Sequence, residues 1–300
     1  MEMVICLIVF WFGAVFGSFL CCQARRLKLK EKGKKLSKRS ECLKCGYRLA
    51  WYDNIPIISW LMLGGRCRKC NKKIGVAEIL SELGVGVLFV GFYFFYKDII
   101  MMVGGGEILV ICAVIFGCLT VLALAFLAIY DGIYGELPQA VLTFVIICAI
   151  IAVILRKWCL FSFGLVGNGG GIGQMSGNGG IFGAFGAFGT FRGGIGGEII
   201  NVLAGVGVFA GMYFLLYKIS KERWVGAGDW QVAMAIALLV GDFYLALLCV
   251  FMANFLASVV MLPVIKIKKR KNTKVYFGPW MVAGMVVVML MSEIVMKFVG

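Results

Sequence analysis

Long apolar stretches separated by short polar segments dominate the pattern of the chain. Eight of them lie at residues 3–22, 79–96, 108–130, 138–155, 199–217, 230–241, 243–264 and 281–298. Several approach the roughly 20 residues that an α-helix needs to cross the hydrocarbon core of a bilayer. The pattern therefore predicts an all-α polytopic membrane protein with about eight transmembrane helices.

Composition strengthens this prediction. Hydrophobic residues make up 62% of the chain, whereas soluble proteins contain about 45 to 50% apolar residues. The first apolar stretch has no basic flank before it and no small-residue cleavage site, and basic residues follow it at Arg25 and Arg26. It is therefore predicted to be an uncleaved membrane helix, not a signal peptide, with the N-terminus outside the cell.

The distribution of charge sets the expected topology and partners. Eight spans place residues 23–78, 131–137, 218–229 and 265–280 in the cytosol, and these segments hold 25 of the 30 Lys and Arg residues. This distribution satisfies the positive-inside rule. A net charge of +15 would suggest nucleic acid in a soluble protein. Here the basic runs adjoin membrane spans, so we expect contact with phospholipid and no nucleic-acid partner.

Three regions follow from this division. Residues 1–22 form the first transmembrane helix, residues 23–78 a polar cytosolic domain, and residues 79–300 a seven-helix membrane domain. Within the last region, residues 164–197 contain 16 glycines, with Arg192 as their only charge. So little side chain cannot form a packed element, and we expect a flexible extracytoplasmic loop.

Two cysteine pairs lie in the polar domain. Cys42 and Cys45 form one CxxC pair, Cys67 and Cys70 form another, and 21 residues separate the pairs. This spacing is typical of a zinc ribbon, and the chain has no histidine, so the site would be an all-cysteine structural zinc site. The alternatives are reduced structural thiols or a redox pair, which two matched pairs in a cytosolic segment make less attractive.

Two aspartates lie at the ends of apolar stretches on the predicted cytosolic side. Asp131 closes the third stretch, and Asp229 precedes the sixth, after Gly226 and Gly228. Two carboxyl groups that share a site can supply a general acid and a general base. Without histidine or an HExxH motif, such a pair is the hydrolytic chemistry that the chain permits. The alternative is that Asp131 is a polar helix end and Asp229 a helix N-cap.

Several motifs together resemble the type 4 prepilin peptidases, also called prepilin leader peptidase/N-methyltransferases. In chain order they are Gly17-Ser18-Phe19-Leu20, Glu41-Cys42-Leu43-Lys44-Cys45, Asp53-Asn54-Ile55-Pro56-Ile57-Ile58-Ser59-Trp60, Gly65-Arg66-Cys67-Arg68-Lys69-Cys70, Glu82, Tyr130-Asp131 with Leu137-Pro138, Gly226-Ala227-Gly228-Asp229, and Phe277-Gly278-Pro279-Trp280. The resemblance runs nearly end to end along the chain.

The resemblance implies an aspartic endopeptidase of the bacterial inner membrane with Asp131 and Asp229 as its catalytic residues. Its substrates would be prepilins and pseudopilins, cleaved at the cytosolic face after a glycine that ends a short basic leader. It also implies methylation of the new N-terminal amine with S-adenosylmethionine. The chain departs from the family pattern at four positions, which are Cys21, Arg25, Glu78 and Gln231.

Two other functions are compatible with parts of the pattern. A presenilin-like intramembrane protease would share Tyr130-Asp131 and the GxGD motif, but the chain lacks a Pro-Ala-Leu motif, and that function leaves the four cysteines unexplained. A non-catalytic membrane assembly factor would use zinc to hold a docking loop and the aspartates to cap helices. Exchange of either aspartate for asparagine without loss of function would favour this assembly factor over an enzyme.

Overall fold

The computed structural model describes residues 2–33, 40–42, 44–102, 108–162, 194–221, 225–268 and 276–299. Over these residues the protein is all-helical. In chain order its α-helices are α1 (Glu2–Glu31), α2 (Ile58–Met62), α3 (Val76–Met102), α4 (Ile108–Tyr134), α5 (Gln139–Ser162), α6 (Gly194–Ser220), α7 (Asp229–Val240), α8 (Phe243–Lys268) and α9 (Gly278–Val299). A 3₁₀ turn at Trp51–Asn54 precedes α2.

The eight predicted stretches all fall on helices, but the helices differ in length. Six of them, α1, α3, α4, α5, α6 and α8, are long and apolar enough to cross a membrane. The other two helices are shorter in their apolar part. This part is Asp229–Val240 in α7 and Gly278–Ser292 in α9, where the side chains are described. The protein is therefore a multi-pass membrane protein with six candidate spans and two shorter apolar helices among its described residues.

Helix α1 continues well past residue 22, where its apolar stretch ends. Residues 23–31 are mainly Gln, Ala, Arg, Leu, Lys and Glu, which are strong helix formers despite their charges. The helix stops just before Gly33, which has a φ of +66° and suits a helix C-terminus. The basic residues that follow the first span are therefore carried on the same helix as the span itself.

Two glycines allow α1 to pack closely against α3. A Cβ atom on Gly13 would lie 2.7 Å from the Val85 carbonyl oxygen, and one on Gly17 would lie 2.5 Å from that of Ser81. The four-residue spacing places both glycines on one face of α1, as in small-residue contacts between membrane helices. This contact places Gly13 of α1 beside Val85 of α3, and Gly17 beside Ser81 and Glu82.

The chain divides into two compact units. The first contains Met1–Tyr96, Val121–Val145 and Cys249–Gly300, and the second contains Lys97–Thr120 and Ile146–Leu248. Most of the predicted glycine-rich loop lies outside the described residues. Its last four residues, 194–197, begin helix α6 and are not loop, because the apolar stretch that follows extends the helix toward its N-terminus.

Candidate functional site

The four cysteines of the polar domain lie together. Their sulfur atoms are all within 4.8 Å of one another, with 3.9 Å between Cys42 and Cys70 and 4.0 Å between Cys45 and Cys67. Four sulfurs about 2.3 Å from a tetrahedral zinc ion would be roughly 3.8 Å apart. The observed distances between the cysteine sulfurs are too long for disulfides, in which the two sulfurs are about 2.0 Å apart. The cluster is thus close enough to bind one metal ion.

The two cysteine pairs adopt the same local structure. The N–H of Cys42 donates to the carbonyl of Tyr47 at 2.8 Å, and the N–H of Cys67 donates to that of Lys72 at 2.9 Å. In each turn the residue after the second cysteine has a positive φ, +67° at Gly46 and 53° at Asn71. Two equivalent turns that present two thiols each are the arrangement that a ribbon-type metal site needs.

Backbone N–H groups make one thiol acidic. The N–H groups of Cys45 and Lys44 lower the pKa of Cys42 to about 6, because hydrogen bonds to a thiolate favour its charged form. The pKa of Cys45 is raised to about 11: the Tyr47 N–H lowers it, but desolvation and the neighbouring sulfurs raise it more. A bound cation would offset the effect of the neighbouring sulfurs on the Cys45 pKa, since a thiol that coordinates a metal loses its proton.

Asp53 joins the two cysteine turns. Its buried carboxylate pairs with Arg68, within the second CxxC, at 2.9 Å, and accepts from the Tyr47 hydroxyl at 3.4 Å and the Ala50 N–H at 3.2 Å. Arg68 also lies over the Tyr52 ring, 5.0 Å from its centre. The sequence placed Asp53 in a family motif without a role, and the structure gives it the role of holding the module together.

Glu82 attaches the module to α3. Its buried carboxylate accepts from the Ile57 N–H at 2.7 Å, and its backbone packs against α1, where a Cβ atom on Gly17 would lie 2.8 Å from the Glu82 Cα atom. Ile57 has a φ of 62° and a ψ of −54°, an unfavourable conformation for a β-branched residue. The Ile58 N–H donates to the Pro56 carbonyl at 2.5 Å, which makes Ile57 the centre of a positive-φ γ-turn. The Glu82 carboxylate therefore holds a strained turn against two membrane helices.

Two of the positions at which the chain departs from the family pattern pair with each other. Arg25 of α1 forms an ion pair with Glu78 of α3, and both side chains are about one quarter exposed. Cys21, a third departure, is buried one turn before Arg25. Three of the four departures from the family pattern therefore lie together at the contact between α1 and α3.

The charged end of α1 also contacts the end of α4. Lys28 pairs with Glu136 and, at 3.2 Å, with Glu31, and its ammonium group lies 5.7 Å from the centre of the Tyr134 ring. The Tyr130 hydroxyl donates to the Glu31 carboxylate at 3.2 Å. Because Tyr130 directly precedes Asp131, this network fixes the backbone next to one of the two predicted catalytic residues.

Asp131 lies near the end of α4 and is buried. Its Oδ2 atom accepts from the Gly278 N–H, the first residue of α9, at 3.0 Å. A Cβ atom on Gly278 would lie 2.7 Å from that oxygen, so a side chain at this position would displace the Asp131 carboxylate. Helix α4 ends at Tyr134, and the N–H of the next residue, Gly135, donates to the Asp131 carbonyl at 2.7 Å.

Asp229 is the first residue of α7 and is also buried. Its Oδ2 atom accepts from the Gly226 N–H at 2.8 Å, and its own N–H donates to the Gly226 carbonyl at 3.2 Å. The N-cap residue is Gly228, so the carboxylate reaches back to the preceding loop. A Cβ atom on Gly226 would lie 3.4 Å from Oδ2, an ordinary contact, so this hydrogen bond does not require glycine there.

The two aspartates belong to different compact units, Asp131 to the first and Asp229 to the second. Both share three features: a place at a helix end, burial, and a backbone N–H from a glycine as donor.

A further polar cluster in the second unit was not anticipated. Asp242 accepts from the Tyr244 N–H and from the Asn201 side chain, each at 2.9 Å, and Arg156 donates to the last carbonyl of α7 at 3.0 Å. These contacts cap the end of α7 and the start of α8. An aspartate just before an apolar stretch is a helix-start signal that could have identified the cap.

Comparison with known proteins agrees with these motifs. The family model described as "Bacterial Peptidase A24 N-terminal domain" matches residues 11–96. A protein of Myxococcus xanthus named "Prepilin leader peptidase/N-methyltransferase" is 44% identical over 81 residues, which is 27% of this chain and 24% of the relative. Proteins with the same name from Vibrio cholerae and Klebsiella pneumoniae are each 40% identical, over 62 and 86 residues.

These alignments cover parts of the relatives. The chain spans 24% of the Vibrio cholerae protein and 38% of the Klebsiella pneumoniae protein, and these regions make up 21% and 27% of this chain. No solved structure gives a significant match. The similarity to the family thus rests on the N-terminal helices and the four-cysteine module.

Proposed function

Since the chain belongs to the prepilin leader peptidase/N-methyltransferase (peptidase A24) family, we propose that it is an aspartic endopeptidase that removes the leader of type IV prepilins and pseudopilins. The match of residues 11–96 to the family's N-terminal domain is the observation that carries this proposal. The protein would lie in the bacterial inner membrane with its N-terminus outside. Cleavage would occur after a glycine at the cytosolic face.

The proposed catalytic residues are Asp131 and Asp229. One carboxylate takes a proton from water, and the oxygen attacks the scissile carbonyl while the other, protonated carboxyl group donates to the carbonyl oxygen. Collapse of the tetrahedral intermediate breaks the C–N bond, and the proton taken from water passes to the leaving amine. The Gly278 N–H orients the Asp131 carboxyl group, and the Gly226 N–H orients the Asp229 carboxyl group. Gly228 completes the GxGD motif that supports Asp229.

The second activity implied by the family name is N-methylation. The amine released by cleavage, usually that of phenylalanine, would attack the methyl group of S-adenosylmethionine, with loss of a proton and release of S-adenosylhomocysteine. The relatives carry "N-methyltransferase" in their names, and this supports the assignment.

The four-cysteine cluster would hold one structural zinc ion through Cys42, Cys45, Cys67 and Cys70. Four thiolates fill a tetrahedral zinc site and leave no open position for a substrate. The ion would join the two cysteine turns and so fix the module that Glu82 attaches to α3.

We expect the purified protein to contain one zinc ion per chain by elemental analysis, and Cys67→Ser to lose it, because Cys67 is buried among the other three thiols. Cys112→Ser is the matched control, since this cysteine lies on α4. Loss of a structural zinc ion also removes folding energy, so limited proteolysis should cut the module of the Cys67→Ser protein faster. Equal zinc content in both variants would contradict the assignment.

The proposed function is tested with the purified full-length chain in liposomes and a model prepilin. We expect removal of the leader after its terminal glycine and, with S-adenosylmethionine present, a product heavier by one methyl group. A prepilin with valine in place of that glycine is the matched control and should stay intact. An intact prepilin under all conditions, or equal cleavage of both substrates, would contradict the proposal.

A further inference from the structure

An exposed apolar patch lies on the module between α1 and α3. Its five side chains, each between 41% and 82% exposed, are Trp51, Tyr52, Ile58, Leu61 and Met62. The 3₁₀ turn that carries the two aromatic residues packs against α2, which carries the other three, and the rings of Trp51 and Tyr52 are 5.6 Å apart. The patch is therefore one surface built from two adjacent elements.

The position of this surface follows from contacts with the membrane helices. Ile57, directly before α2, is hydrogen-bonded to Glu82, and Glu82 lies against α1 at Gly17 and Ser18, since a Cβ atom on Gly17 would be 2.8 Å from the Glu82 Cα atom. Ser18 precedes the end of α1 by 13 residues, or about 20 Å along a helix. The patch thus begins far back along α1, not beyond its charged end.

The same level can be compared with the apolar part of α1. The apolar stretch ends at residue 22, four residues after Ser18, which is roughly 6 Å along the helix. Interfacial helices lie about 5 to 10 Å inside the boundary between headgroups and acyl chains. The start of α2 is therefore at the depth of the membrane interface, within reach of lipid.

The chemistry of the patch fits this depth. Tryptophan and tyrosine are enriched at membrane interfaces because their rings are apolar and their polar atoms remain hydrated. The described residues of the module, 40–42 and 44–75, contain seven Lys and Arg but only two acidic residues, Glu41 and Asp53. Asp53 is buried and paired with Arg68. A basic module with an apolar patch suits an anionic phospholipid surface.

We propose that this patch is a membrane-binding surface, inserted into the headgroup region of the leaflet in which α1 ends and α3 begins. The strained turn at Ile57, held by Glu82, sets the depth at which α2 enters. Phospholipid is favoured over a protein partner because the hydrogen bond from Ile57 to Glu82 and the packing of Glu82 against α1 hold the patch at the level of two membrane helices.

The test places the photoreactive residue p-benzoylphenylalanine at Trp51 or, separately, at Met62 of the full-length chain. The purified protein is illuminated in liposomes of phosphatidylethanolamine and phosphatidylglycerol, and adducts are identified by mass spectrometry. We expect phospholipid adducts at both positions. Substitution of the exposed Glu41 of the same module is the control and should give far fewer adducts.

Two results would overturn the proposal. One is a yield of lipid adducts at positions 51 and 62 no higher than at position 41. The other is a protein adduct in place of the lipid adduct when the experiment is repeated in inner membranes from expressing cells. Leu61 provides a third site if one of the variants fails to insert. None of these readouts depends on peptidase activity.

Discussion

Asp131→Asn and Asp229→Asn are each expected to lower the rate of leader cleavage by about 10² to 10⁴-fold, the range for loss of a general acid or base. Asparagine keeps the size of the side chain and can still accept from the Gly278 or Gly226 N–H. It cannot take a proton from water or donate one from a carboxyl group. The measurement is the initial rate of prepilin cleavage in liposomes.

Asp98→Asn serves as the control for these two exchanges, because Asp98 is an exposed carboxylate on α3. Its cleavage rate should equal that of the wild type. All three variants should also insert at wild-type levels, since the exchange leaves the backbone contacts in place. Cleavage by the Asp131→Asn protein at the rate of the Asp98→Asn protein would show that Asp131 is a structural helix end.

Gly278→Ala is expected to lower the cleavage rate by about 10²-fold, the cost of a displacement of roughly 1 Å in a catalytic group. The new methyl group would lie 2.7 Å from Asp131 Oδ2 and 3.2 Å from its Cβ. The carboxylate must move, and its hydrogen bond from the Gly278 N–H at 3.0 Å then lengthens. We expect a fall in kcat with little change in KM.

Gly84→Ala is the matched control in the same unit, because a Cβ atom there meets nothing within 4 Å. This variant should cleave normally and have unchanged or slightly higher stability, since alanine favours a helix by about 0.5 to 1 kcal/mol over glycine. If Gly278→Ala cleaves as fast as Gly84→Ala, the contact between α4 and α9 does not position Asp131.

Hydropathy predicted where the helices lie because each is built from a local apolar stretch. It did not predict how far α1 continues, because the charged residues after residue 22 end the apolar stretch but still favour a helix. It also predicted that α7 spans the membrane like the longer helices, although the 12 residues of α7 extend only about 18 Å.

The cysteine cluster could be predicted from spacing because each pair forms one local turn. The partners of the aspartates and of Glu82 could not, because they are distant in sequence: Gly278 lies 147 residues from Asp131, and Ile57 lies 25 residues from Glu82. The same limit applies to Arg25 and Glu78. In the sequence they are two separate departures from the family pattern, and only the fold brings them together.

If Asp131 and Asp229 act as one catalytic unit, a double-mutant cycle on cleavage will show it. Catalytic residues that act together have strongly non-additive effects. We therefore predict that the Asp131→Asn, Asp229→Asn double variant cleaves prepilin at the same residual rate as each single variant. Losses that multiply in the double variant, or wild-type cleavage by either single variant, would contradict the claim.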